Sequence, residues 1–201
     1  MSVIAVIPAR GGSRRIPRKN IKDFYGQPII AYSIQKAQES GLFDHIVVST
    51  DDDEIALISE AYGAKVHRRD PALGVDEVGT QEVVKECLQA MGLTDADKIE
   101  HKVCCIYATS PLMSVEDLTD GYYVLGDDFD PSDTFVFSVG YPELRDAGQF
   151  YWGLAKEFLR GTPLINSGTR LIHVADERIC DINTPEDWKR AMQMYVRLED
   201  A

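Results

Sequence analysis

Short apolar runs rich in β-branched residues alternate with longer amphipathic stretches along most of this chain. "VIAVIP" (3–8), "HIVVST" (45–50), "KVCCIYA" (102–108) and "TFVFSV" (134–139) are continuous rather than alternating, with a shorter run at "AKVHR" (64–68). Continuity of this kind marks strands covered on both faces. Between them lie "PIIAYSIQKAQES" (28–40), "DDDEIALISEAY" (51–62), "TQEVVKECLQAM" (80–91) and "SVEDLTDGYYVLG" (114–126). These carry helix signals: Pro28 in a first turn, acids at 51–53, glycine stops at 41 and 63, and Ser114 with Asp117 at capping-box spacing. "GQFYWG" (148–153), "RLIHV" (170–174) and "RICDIN" (178–183) follow. Thr184, Pro185 and Asp187 then cap a last helix with an apolar stripe of Trp188, Ala191, Met192, Tyr195 and Val196. Strands alternating with helices predict an α/β fold with a largely parallel sheet flanked by helices. The 201 residues fit a single domain over 1–201, with no internal repeat or low-complexity linker. In such sheets ligands bind beyond the carboxyl ends of the strands.

A reversal of charge falls at one such end. The chain has a formal net charge of -12, yet "VIPARGGSRRIPRKN" (6–20) and the two residues after it gather Arg10, Arg14, Arg15, Arg18, Lys19 and Lys22 before Asp23 supplies the first acid. An acidic chain is a poor general binder of nucleic acid or of an anionic membrane surface. The cations therefore predict a small, specific anionic target. Cys87, Cys104, Cys105 and Cys180 show no C-x-x-C spacing and read as buried free thiols. His45, His67, His101 and His173 form no helical metal pair. No signal peptide or apolar run of membrane-spanning length is visible, which predicts a cytoplasmic protein.

Gly11 and Gly12 let backbone amides approach an anion without interference from a Cβ, and Ser13 adds a hydroxyl donor. Arg10 offers a bidentate fork to phosphate oxygens and Lys19 a point charge. The loop is neither G-x-x-x-x-G-K-[ST] nor G-x-G-x-x-G. The competing reading is a solvated basic loop, and for Arg15, Arg18 and Lys22 taken singly it weighs as much as a ligand role. Six cations with no acid among them repel one another unless an anion offsets them.

"IPARGGSRRIPRKNIKDFYGQPIIAYSI", "IVVSTDDDEIA", "YGAKV" and "ATSP", in order over nearly the whole chain, resemble the CMP-sialic acid synthetase (acylneuraminate cytidylyltransferase) family. "CCIYATSP", "DAGQFYWG" and "DINTPEDW" are most similar to its pseudaminic acid branch. The resemblance implies a Rossmann-like nucleotide-diphospho-sugar transferase fold. It also implies transfer of CMP from CTP to the anomeric hydroxyl of an acidic nonulosonic sugar, pyrophosphate release, and Mg²⁺. Ala9, Arg10, Gly11, Gly12, Ser13, Arg14, Lys19 and Asn20 fall on the family's triphosphate- and base-binding loop. Arg69 and Asp76 fall on the segment over the cytidine, and Ser110 on the ligand edge, where a turn role before Pro111 competes. Asp181 falls on a metal ligand. Asn183 stands where the family usually carries a second Asp, and it brings an amide oxygen without charge. Arg145, Asp146 and Gln149 fall on the sugar side.

One departure concerns length. The family places several tens of residues between the fifth strand and "DAGQ", forming an arm that builds a homodimer; here only "GYPELR" (140–145) intervenes. A sialic, legionaminic or Kdo sugar acid, a glycosyltransferase using "DDD" (51–53), and a nucleotide-binding module without catalysis stay open as alternatives. No residue stands out as a general base.

Overall fold

The computed structural model describes residues 1–74, 78–94, 100–126, 130, 132–140 and 144–200. In chain order they form β1 (Val3–Pro8), a small hairpin of β2 (Asp23–Phe24) and β3 (Gln27–Pro28), α1 (Ile29–Glu39), β4 (His45–Thr50), α2 (Asp53–Ala61), β5 (Lys65–Arg68), α3 (Thr80–Ala90), β6 (Lys102–Ile106), α4 (Val115–Val124), β7 (Phe135–Val139), β8 (Asp146–Leu154), α5 (Ala155–Arg160), β9 (Thr169–His173) and α6 (Pro185–Glu199). One seven-stranded sheet has the order β5-β4-β1-β6-β8-β7-β9. Its pairings are parallel except those of β8, which runs antiparallel to both β6 and β7.

The continuous apolar runs are explained by two cores. Ala5 and Ile7 of β1 join Cys104, Ile106 and Trp152 on the face covered by α1, α2 and α4. Ile4 and Val6 join Val103, Cys105 and Tyr151 on the face covered by α3 and α5. Adjacent Cys104 and Cys105 thus serve opposite cores, as the period of two requires. All four cysteines are buried and free, and burial pushes the Cys87 and Cys105 thiols up to about 12.

A third apolar cluster lies behind the cationic loop. Ile16, from the loop itself, is 1% exposed and packs with Phe24, Ile182 and Trp188. The capping box foreseen at 184–187 fixes where α6 begins: Thr184 Oγ1 accepts from the Asp187 amide at 3.2 Å, and Asp187 Oδ2 accepts from the Thr184 amide at 2.8 Å. The helix then lays Trp188 and Ala191 against the loop's anchor. The segment 178–183 forms no strand. It leaves a 3-10 turn at Asp176–Arg178 and crosses the ends of the sheet as irregular chain.

Candidate active site

β1 ends at Pro8, and the Ala9 amide donates to the Ser49 carbonyl of β4 at 2.9 Å, so the loop leaves the sheet at the carboxyl edge. Its shape is held from several sides. Ile16 is its apolar anchor. Asn20 Nδ2 donates to the Arg10 carbonyl at 2.9 Å. Lys19 Nζ donates to the Ile182 carbonyl at 2.7 Å, tying the loop to the segment that carries Asp181.

The six cations divide into two sets. Arg18, in left-handed backbone at φ 56°, grips Asp52 through both guanidinium nitrogens and also pairs with Glu54. Lys22 Nζ sits 4.7 Å from the centroid of the Trp188 ring. The protein itself answers these two. Arg10, Arg14, Arg15 and Lys19 line a cavity of about 660 Å³, together with Ser13 and Asn20. The expectation that only a bound anion offsets the six cations is therefore corrected in part: Asp52 and Glu54, from the turn after β4, supply acids that distance along the chain hides.

The opposite wall comes from β5 and α3. Arg69, Leu73, Val78, Thr80 and Val83 line it, and Tyr107 and Thr109 close the floor beyond β6. Arg69 is 5% exposed; burial works against its charge, and Asp51, 3.4 Å away, supports it. Asp181 and Asn183 complete the rim. Burial lowers the pKa of Lys19 as well, with Arg15 and Arg10 adding to the effect and Asp181 opposing it.

Asn183 is turned between two partners. Its Oδ1 accepts from Arg15 Nη2 at 3.0 Å, and its Nδ2 donates to Asp181 Oδ2. The oxygen it could offer a cation therefore faces away from the neighbouring carboxylate. No group of three metal-ligating side chains occurs among the described residues. One carboxylate facing a cationic cavity still fits Mg²⁺, which takes one or two carboxylates together with substrate phosphates.

Other expected residues among those described do not line this cavity. Ala9 is buried, and Gly12 is exposed. The Gly11 amide donates to Asp51 Oδ1 at 3.1 Å. Ser110 is 3% exposed and donates to the Gly148 carbonyl at 2.9 Å, stitching the end of β6 to β8. Gln149 is buried, with Nε2 given to the Arg178 carbonyl at 2.8 Å. Arg145 is exposed beside the β7–β8 connection. Asp146 accepts from the Tyr107 hydroxyl at 3.0 Å and from the Gly148 amide at 2.7 Å, and burial raises its pKa. Asp76 lies outside the described residues.

Tyr107 and Thr80 are lining residues that sequence reasoning passed over. Their signals were positional: Tyr107 ends a buried strand at the ligand edge, and Thr80 opens the helix that faces it. Thr80 Oγ1 and the Tyr151 hydroxyl lie 2.8 Å apart, so this polar contact fixes the start of α3 over the sheet.

A mostly parallel sheet with cations and one carboxylate facing across the carboxyl edge of its strands defines a nucleotidyltransferase. The comparisons agree, and the chain belongs to the cytidylyltransferase family: that family's model, described as Cytidylyltransferase, matches residues 4–123. Two relatives are the pseudaminic acid cytidylyltransferases of Campylobacter jejuni subsp. jejuni serotypes O:2 and O:23/36. They are 33% and 34% identical over 226 aligned positions, covering 97% of this chain and 97% of each relative. A solved CMP:2-keto-3-deoxy-manno-octonic acid synthetase complexed with CTP shares the fold, with a TM-score of 0.75 at 16% identity over 98% of this chain and 100% of that one.

Proposed function

We propose that the chain couples CTP to pseudaminic acid, giving CMP-pseudaminic acid and pyrophosphate. The observation that carries the reading is the gathering of Arg10, Arg14, Arg15 and Lys19 around one cavity with Asp181. The two Campylobacter jejuni relatives, which bear that activity in their names over nearly their whole length, support the choice of sugar.

In this reading Arg10, Ser13, Arg14 and Lys19 hold the triphosphate, and Arg69 with the α3 wall holds the nucleoside. Asn20 acts by fixing the backbone of Arg10. Asp181 holds Mg²⁺, which when bound would polarise the phosphates. The anomeric oxygen of the sugar acid forms a bond to the α-phosphorus as the bond to the pyrophosphate oxygen breaks, and the hydroxyl proton passes to solvent. Arg15 and Lys19 face the negative charge that builds on the phosphates. Tyr107, oriented by Asp146, stands on the sugar side of Asp181, and Arg145 at the connection lies where a sugar carboxylate can be met.

Pyrophosphate release from CTP and Mg²⁺, measured with pseudaminic, N-acetylneuraminic, legionaminic and Kdo acids in turn, tests the reading. Release with pseudaminic acid at the highest kcat/KM is the expected result. Preference for another acid overturns the substrate, and CTP binding without release with any of them overturns the activity.

A further inference from the structure

We propose that Asp51 is a positioning residue that ties the loop carrying Arg10 and Ser13, through the Gly11 amide, to Arg69 on the other wall of the cavity. The inference rests on the reading of that cavity as a CTP site. Asp51 follows β4 directly, and a single oxygen, Oδ1, takes the Gly11 amide at 3.1 Å and faces Arg69 Nη2 at 3.4 Å. The backbone repeats the same join, because β4 accepts from both sides: Ser49 from the Ala9 amide at 2.9 Å and Thr50 from the Arg69 amide at 3.1 Å. The approach is close enough to require glycine at position 11, where a Cβ would lie 2.6 Å from Asp52 Oδ2.

Arg69 shows why the join matters. Its side chain is buried, and Asp51 is the acid that faces it, while Nε makes no hydrogen bond within the protein. A buried guanidinium with one nitrogen facing a carboxylate and Nε without a partner depends on that carboxylate for its orientation. Asp51 sets both its direction and its distance from the loop.

The proposal runs against simple electrostatics. Removing an acid beside a triphosphate site ought to strengthen anion binding. A positioning role predicts the reverse for Asp51→Ala, which frees the Gly11 amide and leaves Arg69 buried without the carboxylate that contacts it. Asp51→Asn keeps an acceptor for Gly11 while removing the charge.

Calorimetric titration of the full chain with CTP and with inorganic triphosphate decides the matter, with Asp53→Asn as a control for charge on the same turn. Asp53 is exposed and pairs with Arg68. Asp51→Ala is expected to weaken CTP binding about tenfold, in line with loss of a charge-assisted contact. Asp51→Asn is expected to restore affinity for inorganic triphosphate but not for CTP, and Asp53→Asn to bind both as wild type does. Wild-type or tighter CTP binding by Asp51→Ala overturns the proposal. So does an equal loss in Asp53→Asn, or an Asp51→Asn variant no better than Ala on triphosphate. Failure of the wild-type chain to bind CTP would instead remove the reading of the cavity on which the proposal rests.

Discussion

The backbone of Gly148 lies directly against Asp181: a Cβ at position 148 would stand 2.7 Å from the Asp181 Cα and 2.8 Å from its Cβ. Gly148 also has φ +70°, in the left-handed region. The start of β8 and the carboxylate-bearing segment are in direct contact here. Replacement by alanine meets both obstacles, the backbone strain alone costing roughly 1–2 kcal/mol. Gly148→Ala is expected to lower the urea midpoint and to cut turnover further than the stability loss explains, because Asp181 must move. Urea denaturation beside steady-state turnover checks this, and a fully active variant of normal stability would contradict it.

A substitution at Asn183 is predicted to separate charge from geometry beside Asp181. In Asn183→Asp a second carboxylate stands beside Asp181, and a divalent ion relieves their repulsion. The Mg²⁺ concentration for half-maximal turnover is expected to fall. Metal titration of the two proteins at fixed CTP measures it; an unchanged or higher requirement would show that position 183 does not face the ion.

Lys19 is predicted to make CTP binding depend on pH. Burial places its pKa below the ordinary 10.5. Between that lowered value and 10.5 the folded chain binds fewer protons than the unfolded one, so this residue's effect on stability becomes more favourable as pH rises through the interval. A triphosphate draws the pKa back up. CTP binding is therefore expected to take up a proton in the same interval and to weaken as pH rises through the lowered value. Calorimetry in buffers of different ionisation heat detects the uptake, and Lys19→Met should abolish it. Equal uptake in that variant would assign the proton elsewhere.

Asp52 is predicted to matter for stability. It caps α2 through the Ile55 amide at 3.0 Å, and its contact with Arg18 holds its pKa below the usual 3.8. Loss of a cap costs about 1 kcal/mol. Asp52→Ala should therefore lower the thermal midpoint, while Asp52→Asn, which still caps, should lower it less. The stability gained from the carboxylate is present above 3.8 and is lost as pH falls through the lowered value. The difference between wild type and Asp52→Asn should close in acid, and a gap that persists at the lowest pH would count against the ion pair.

The sheet was legible because its strands are buried on both faces, and burial of that kind leaves continuous apolar runs. α6 was legible because Thr184 and Asp187 hydrogen-bond each other across three residues. Partition of the cations was not legible. Whether Arg18 or Arg15 faces a ligand depends on acids some 34 residues away in sequence, such as Asp52. Ser110 and Gln149 show the same limit: both stand at the ligand edge by position, yet their side chains bond backbone carbonyls that only the folded chain brings near. The acids at 51–52 read as helix-start residues, and for Asp52 that holds. Asp51's bond to Gly11 has no signature along the chain.

The reversed direction of β8 has a consequence for how such a protein can diverge. Because β7 runs forward and β8 runs back, the chain leaves β7 at Val139 and rejoins the sheet at Asp146 on the same edge, where Asp146 accepts from the Tyr107 hydroxyl. Residues gained or lost between these two strands leave hydrogen bonding within the sheet intact. The 226 positions needed to align 201 residues with the Campylobacter jejuni relatives mean that those proteins carry stretches absent from this one. The length of the connection between β7 and β8 is thus something a lineage can change without rebuilding the sheet.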